Sequence, residues 1–247
     1  MKLLSFLKSK PLLKELIPEN YIDIHSHLLP GIDDGSKSLE DTVSLLTQMN
    51  GIGIKHFITT PHIFTNVWDN TELHILKNLQ ATKHELSDKN LYTSFQVGAE
   101  YMIDSYFMKR LETEKLLTLK DNYVLVEMSY LHPPMQLFDI IFEIQLAGYK
   151  PVLAHPERYV FYTKNFKEYE RLKKSGCLFQ LNLLSCVDYY GVAITETADK
   201  LLKKGMIDFV GSDVHHQNHV DSFSRKVTLK NTTELEKAIS RNLFFLP

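Results

Sequence analysis

Short β-rich runs alternate with helical stretches along nearly the whole chain, and this rhythm restricts the fold more than any other feature. The strand candidates are Tyr21–His25, His56–Thr59, Ser94–Val97, Tyr123–Val126, Pro151–Ala154, Leu178–Leu181 and Phe209–Gly211. Between them lie helical patterns at about 39–50, 71–87, 135–147, 166–174, 194–203 and 233–241, the first with Ser38 as a cap. Gly51, Gly148, Gly176 and Gly205 stand just past helix ends, where a left-handed residue is wanted. Strands separated by helices pair in parallel, because parallel neighbours need long crossovers. Seven such units within 247 residues fit one α/β domain, a closed or nearly closed (β/α)7 barrel, with an open doubly wound sheet as the alternative.

Chemistry-bearing residues collect where the strands end. The first strand runs into D-I-H-S-H, with Asp23, His25 and His27. The second leads to His62, the third to Glu100 and the fourth to Glu127. The fifth leads to His155, Glu157 and Arg158, and the seventh to Asp213 and His215. In parallel α/β folds, ligands bind outside the C-terminal strand ends. A lone His-x-His pair is usually structural, but acids and histidines at six strand ends converge on a single site. Residues two apart on a strand face the same side, so His25 and His27 can share an ion. Asp23, one step deeper, is the candidate to fix a ring tautomer. The loop L-P-G-I-D-D-G reads as a turn that also offers Asp33 or Asp34 as an oxygen ligand.

Five histidines (His25, His27, His62, His155 and His215) and four acids (Asp34, Glu100, Glu127 and Asp213) exceed what one ion takes. They suit two or three ions sharing bridging carboxylates. Three divalent ions against four carboxylates leave a positive excess that attracts phosphate. Mixed imidazole and carboxylate ligation suits manganese, iron or zinc. Arg158 offers a planar fork for two phosphoryl oxygens, and Arg225 is a weaker candidate for the same task. Glu157 either orients a ligand or pairs with Arg158.

Absences narrow the reaction further. Cys177 and Cys186 are the only cysteines, and neither is followed by arginine at the C-x5-R spacing of a thiolate phosphatase. No D-x-D, Walker loop or G-x-S-x-G occurs. What remains is hydrolysis by metal-bound hydroxide. A net charge of −2 offers no basic field for nucleic acid. No apolar run is long enough to span a membrane, and the sparse cysteines predict a reducing, cytoplasmic setting. Residues 1–20 read as an N-terminal extension, predicted as an amphipathic helix, before a catalytic domain over 21–247.

In order, D-I-H-S-H-L-L-P-G-I-D-D-G, T-P-H, G-A-E, the fourth-strand glutamate, A-H-P-E-R and G-S-D-V-H resemble the PHP (polymerase and histidinol phosphatase) superfamily. Within it they resemble the tyrosine phosphatases encoded with capsular or exopolysaccharide loci. The resemblance runs from about Tyr21 to His215. It implies a distorted (β/α)7 TIM-like barrel and a site of three ions, usually manganese. His25, His27, Glu100 and Asp213 would hold the first ion. Glu100, Glu127 and His155 would hold the second, and Asp34, His62 and His215 the third. Arg158 matches the phosphate-binding arginine. The implied partner is a phosphotyrosine protein, a bacterial tyrosine kinase controlling polysaccharide export. The family's later arginine follows the last motif closely, whereas Arg225 lies twelve residues past Asp213. Aromatics near the strand ends (Phe64, Trp68, Tyr101, Tyr130 and Tyr159) are candidates to flank a phenyl ring. Two other readings share the residues: a small-molecule phosphatase or phosphodiesterase, and a metal-binding regulator without turnover.

Overall fold

The computed structural model describes residues 10–247 apart from Tyr92 and Asn231. The strands are β1 (Ile22–Asp23), β2 (His56–Thr59), β3 (His62–Ile63), β4 (Ser94–Val97), β5 (Glu100–Met102), β6 (Tyr123–Glu127), β7 (Lys150–Ala154), β8 (Leu178–Asn182) and β9 (Phe209–Gly211). All pair in parallel. One sheet has the order β1-β2-β4 and the other β3-β5-β6-β7-β8-β9. The seven expected strands become nine because two are interrupted at the rim. Pro61 has no N–H to give between β2 and β3, and Gly98 falls between β4 and β5. Hydrogen bonds carry the pairing past both breaks, from Gly98 N to Thr59 O and from Glu100 N to Pro61 O. β1 and β9 do not pair along their lengths. Just beyond their ends, Ser26 and Val214 form an isolated parallel bridge.

The inner face of these strands changes character from bottom to top. Side chains alternate faces along a strand, and a parallel sheet is buried on both. In β6, Val124 and Val126 join the large core under the helices, while Leu125 joins a small inner core with Ile22, Ile24, Ile58, Val152, Ala154, Phe209 and Phe245. Glu127, two residues past Leu125, follows the same face upward. In β8 the corresponding series is Leu178, Gln180 and Asn182, because Phe179 and Leu181 face the outer core. The lower interior is therefore apolar and the upper interior polar, which places the polar cluster at the C-terminal strand ends.

Among the described residues eight α-helices surround the strands: α1 (Leu39–Gly51), α2 (Glu72–Asp88), α3 (Ser105–Thr113), α4 (Leu137–Leu146), α5 (Lys167–Lys174), α6 (Val192–Lys203), α7 (Gln217–Ser222) and α8 (Thr233–Arg241). Ser38 caps α1 by accepting from Asp41 N. Ile75, Leu79, Thr82 and Leu86 form the buried stripe of α2 at spacings of three and four residues. Gly148, Gly176 and Gly205 have positive φ as expected, but α1 absorbs Gly51, and the left-handed residue is Gly53 at φ 100°. The expected N-terminal helix is corrected over residues 10–20. Pro11 and Pro18 hold their neighbours extended, leaving a bridge from Leu12 to Lys226 and one 3-10 turn at Leu13–Leu16. Residues 1–9 of that prediction lie outside the described residues. No helix among the described residues is long and apolar enough to cross a membrane.

Candidate metal centre

Four donors from three strand ends converge on one point. His25 Nε2 lies 3.1 Å from Glu100 Oε2 and 3.3 Å from Asp213 Oδ1. His27 Nε2 lies 3.3 Å and 3.5 Å from the same two oxygens, and 3.3 Å from His25 Nε2. Donors at the corners of a tetrahedron around an ion with bonds of about 2.0–2.1 Å stand roughly 3.3–3.4 Å apart. The five spacings among these atoms lie close to that value.

The remaining candidates form two flanking groups. Glu100 Oε1 lies 3.1 Å from His155 Nε2, so the carboxylate faces two groups at once. Asp34 Oδ1 lies 3.5 Å from both His62 Nε2 and His215 Nε2. Glu127 Oε1 is 2.9 Å from His62 Nδ1, which places this acid between the second and third groups. All nine sequence-predicted ligands therefore meet at one rim. Asp34 is half-exposed, and the others are buried or nearly so.

The donor chemistry fits divalent ions. His25 Nδ1 is occupied by Gln180 Oε1 at 2.7 Å, and His27 Nδ1 by Asp33 Oδ2 at 2.7 Å. With both outer nitrogens protonated, the two Nε2 lone pairs face each other and two carboxylate oxygens. Such a constellation needs positive charge at its centre. The titration behaviour carries the same sign. Burial lowers the His25 pKa, but Glu100 and Asp213 outweigh it and push it up to about 9. Burial disfavours the charged forms of Glu100 and Asp213, yet His25 first among their neighbours holds both below the usual carboxylate range. His62 Nδ1 is buried between two carboxylates, 2.9 Å from Glu127 Oε1 and 3.3 Å from Glu100 Oε2.

The chain leaves the β region to build this cluster. His155 and Asp213 have φ of 36° and 52°, left-handed values that cost non-glycine residues about 1–3 kcal/mol. Backbone hydrogen bonds hold them there, from His155 N to Gln180 O at 2.8 Å and from Asp213 N to His25 O at 2.7 Å.

Several roles differ from the sequence reading. Asp23 does not touch a ligating ring. It accepts from Ser212 N and Oγ, so it pins the base of the last motif to the first. Asp33 is the aspartate that fixes a tautomer, because the loop returns it to His27 and Gly35 N. Arg158 reaches the centre, donating from one guanidinium nitrogen to Asp213 Oδ2 at 2.7 Å, and its plane lies over Tyr130 and Tyr190. Arg225 does not reach it. This exposed residue lies over Tyr189, because its backbone is tied to Leu13 at the N-terminal segment. Glu157 does not form an ion pair with Arg158. It accepts from Asn182 N and Ser185 Oγ, and burial pushes its carboxyl up to about 7.

A cavity of about 360 Å³ opens over the cluster. Phe64, Trp68 and Tyr130 line it as expected, with Trp68 stacked on His62 at 4.6 Å and Tyr130 on His155 at 5.7 Å. Tyr101 and Tyr159 do not line it. Both are buried, with hydroxyls taken by Leu117 N and Met128 N. Met102, Ser129 and Leu131 line the cavity without having been marked in the sequence.

Two glycines permit the close approach of the first motif to its neighbours. A Cβ at Gly35 would stand 2.1 Å from His27 O, and one at Gly211 would stand 2.5 Å from His25 Cβ. Each contact is to backbone or to a fixed Cβ and cannot swing away. Gly35→Ala and Gly211→Ala should each lower unfolding stability by about 1–3 kcal/mol in denaturant titrations. Both should also lower metal content after dialysis, whereas Gly51→Ala, at a helical position with open space around it, should leave metal content unchanged.

Known proteins share this arrangement of chain. The family described as capsular polysaccharide synthesis, CpsB/CapC, matches residues 21–243. Tyrosine-protein phosphatase YwqE of Bacillus subtilis is 29% identical over 196 residues, covering 79% of this chain and 77% of that protein. Tyrosine-protein phosphatase CpsB of Streptococcus pneumoniae is 28% identical over 231 residues, 87% of this chain and 94% of that one. Among solved structures, the crystallographic description of YwqE and CpsB as unique metal-dependent tyrosine phosphatases includes a chain that superposes with a TM-score of 0.78 at 27% identity, over 90% of both chains. The chain belongs to the CpsB/CapC family of capsular polysaccharide synthesis.

Proposed function

We infer that the protein is a metal-dependent tyrosine-protein phosphatase. The observation that carries this reading is the donor cluster itself: nine imidazole and carboxylate side chains beneath a cavity that also presents an arginine. Family membership supports it, since the named relatives are tyrosine-protein phosphatases. His25, His27, Glu100 and Asp213 would hold one ion, Glu100, Glu127 and His155 a second, and Asp34, His62 and His215 a third. Manganese suits this hard-to-intermediate donor set, as do iron and zinc. Bound ions supply Lewis-acid charge for the phosphoryl oxygens and acidify water. Arg158 lines the cavity and binds the phosphate with the part of its fork that Asp213 does not use. Trp68 and Tyr130 form apolar walls for the phenyl ring. The same reading takes the two sheets as parts of one distorted (β/α)7 barrel, supported by the bridge between Ser26 and Val214. It takes a cytoplasmic tyrosine kinase of polysaccharide export as the substrate protein.

Manganese-loaded protein should hydrolyse a phosphotyrosine peptide, and EDTA should abolish turnover. Iodoacetamide should leave turnover unchanged. Cys177 and Cys186 are buried, and burial pushes both thiols up, Cys177 to about 12. Hydrolysis that survives EDTA would contradict the metal. Equal turnover of phosphoserine peptides or histidinol phosphate would contradict the tyrosine preference.

A further inference from the structure

β8 supplies no side chain to the donor cluster, although it stands between two strands that do. Its inner face nevertheless ends in two buried amides, Gln180 and Asn182, both fully enclosed. Gln180 Oε1 meets His25 Nδ1 at 2.7 Å. Asn182 Nδ2 donates to Asp213 Oδ2 at 2.8 Å and to Tyr190 Oη at 3.1 Å. His25 and Asp213 belong to the same four-donor group, so one ligand-free strand touches two of its members.

The backbone fixes which end of each amide faces the ligand. Gln180 Nε2 donates to Leu181 O at 2.7 Å, which leaves Oε1 toward the ring. An oxygen there accepts only from a protonated Nδ1, and the His25 lone pair is thereby directed to Nε2. Asn182 Oδ1 accepts from Leu184 N at 2.9 Å, which leaves Nδ2 toward the carboxylate. Asp213 Oδ2 already takes Arg158, and the amide is its second donor. With Oδ2 engaged twice, Oδ1 is the oxygen turned to His25 and His27.

We propose that Gln180 and Asn182 are positioning residues for metal, one as an acceptor that sets the His25 tautomer and one as a donor that sets the Asp213 carboxylate. The inference rests on the metal-site reading above. The two amides differ in polarity, and that difference separates positioning from mere packing. Glutamate in place of Gln180 gives up the donation to Leu181 O but still offers an oxygen to Nδ1. Aspartate in place of Asn182 offers no donor and sets a second carboxylate against Asp213 Oδ2. Both changes are nearly isosteric, so a packing role would make them equal.

The test is manganese affinity, measured by calorimetry on metal-stripped full-length protein, with thermal unfolding of each variant recorded alongside. Gln180→Leu and Asn182→Leu should weaken the tightest manganese step by about 10- to 100-fold. Gln180→Glu should bind at least about tenfold more tightly than Gln180→Leu, whereas Asn182→Asp should bind no better than Asn182→Leu. Folded glutamate and aspartate variants with equal affinities would overturn the inference while leaving the metal site intact. Wild-type protein that binds no manganese, iron or zinc would overturn the metal-site reading and this inference with it.

Discussion

Glu100→Gln should lower kcat/KM on a phosphotyrosine peptide by at least roughly 1,000-fold and reduce the number of bound ions per chain. Glu100 stands at the middle of the cluster. One carboxylate oxygen is 3.1–3.3 Å from nitrogens of His25, His27 and His62, and the other is 3.1 Å from His155. No other side chain among the described residues joins as many of the histidines. The amide keeps the shape but removes the charge, and it turns an NH2 toward nitrogens that need an acceptor or a shared cation. In the metal-free state the same change leaves several buried imidazoles without their common counter-charge. Breaking a buried pair in this way costs about 3–5 kcal/mol. Two measurements check the prediction, metal content by mass spectrometry and unfolding with and without manganese. Near-wild-type activity with full metal content would show that Glu100 does not bridge.

Arg158→Lys should lower kcat/KM by about 100-fold and not behave as a conservative change, with Arg158→Ala losing about 100- to 1,000-fold. The guanidinium ties one nitrogen to Asp213 and lies over the Tyr130 and Tyr190 rings, 4.9 and 4.2 Å from their centroids. These contacts set its plane. A lysine ammonium cannot keep the Asp213 contact and also present a second in-plane donor to phosphate. Steady-state kinetics with phosphotyrosine peptide and product inhibition by inorganic phosphate check this. Lysine at wild-type rates would assign Arg158 to Asp213 alone.

Much of the fold was legible because its signals are local. His56–Thr59, Ser94–Val97 and Phe209–Gly211 coincide with their predicted bounds, and the helix at 233–241 does as well. Turn glycines and alternating β-branched runs are enough for that. α3 and α7 were missed. α3 buries only Phe107 and α7 is six residues long, so neither shows a full apolar stripe. The nine-residue cluster was legible because strand direction carries histidines and acids to the same rim. The roles around it were not. Asp33 takes the contact with a ligating ring expected of Asp23, because strand spacing says nothing of a loop that folds back, here through Gly35 packed against His27. Gln180 and Asn182 carry no charge and form no motif, so only the inward face of β8 reveals them. Arg225 failed because proximity in sequence to Asp213 does not outweigh the tie between its backbone and Leu13.

The most direct measurement is anomalous diffraction from crystals grown with manganese. Peaks should lie among His25, His27, Glu100 and Asp213, between Glu100 and His155, and among Asp34, His62 and His215, at about 2.0–2.5 Å from the donor atoms. Peaks only at the molecular surface, with these nine side chains turned away from one another, would contradict a common metal centre.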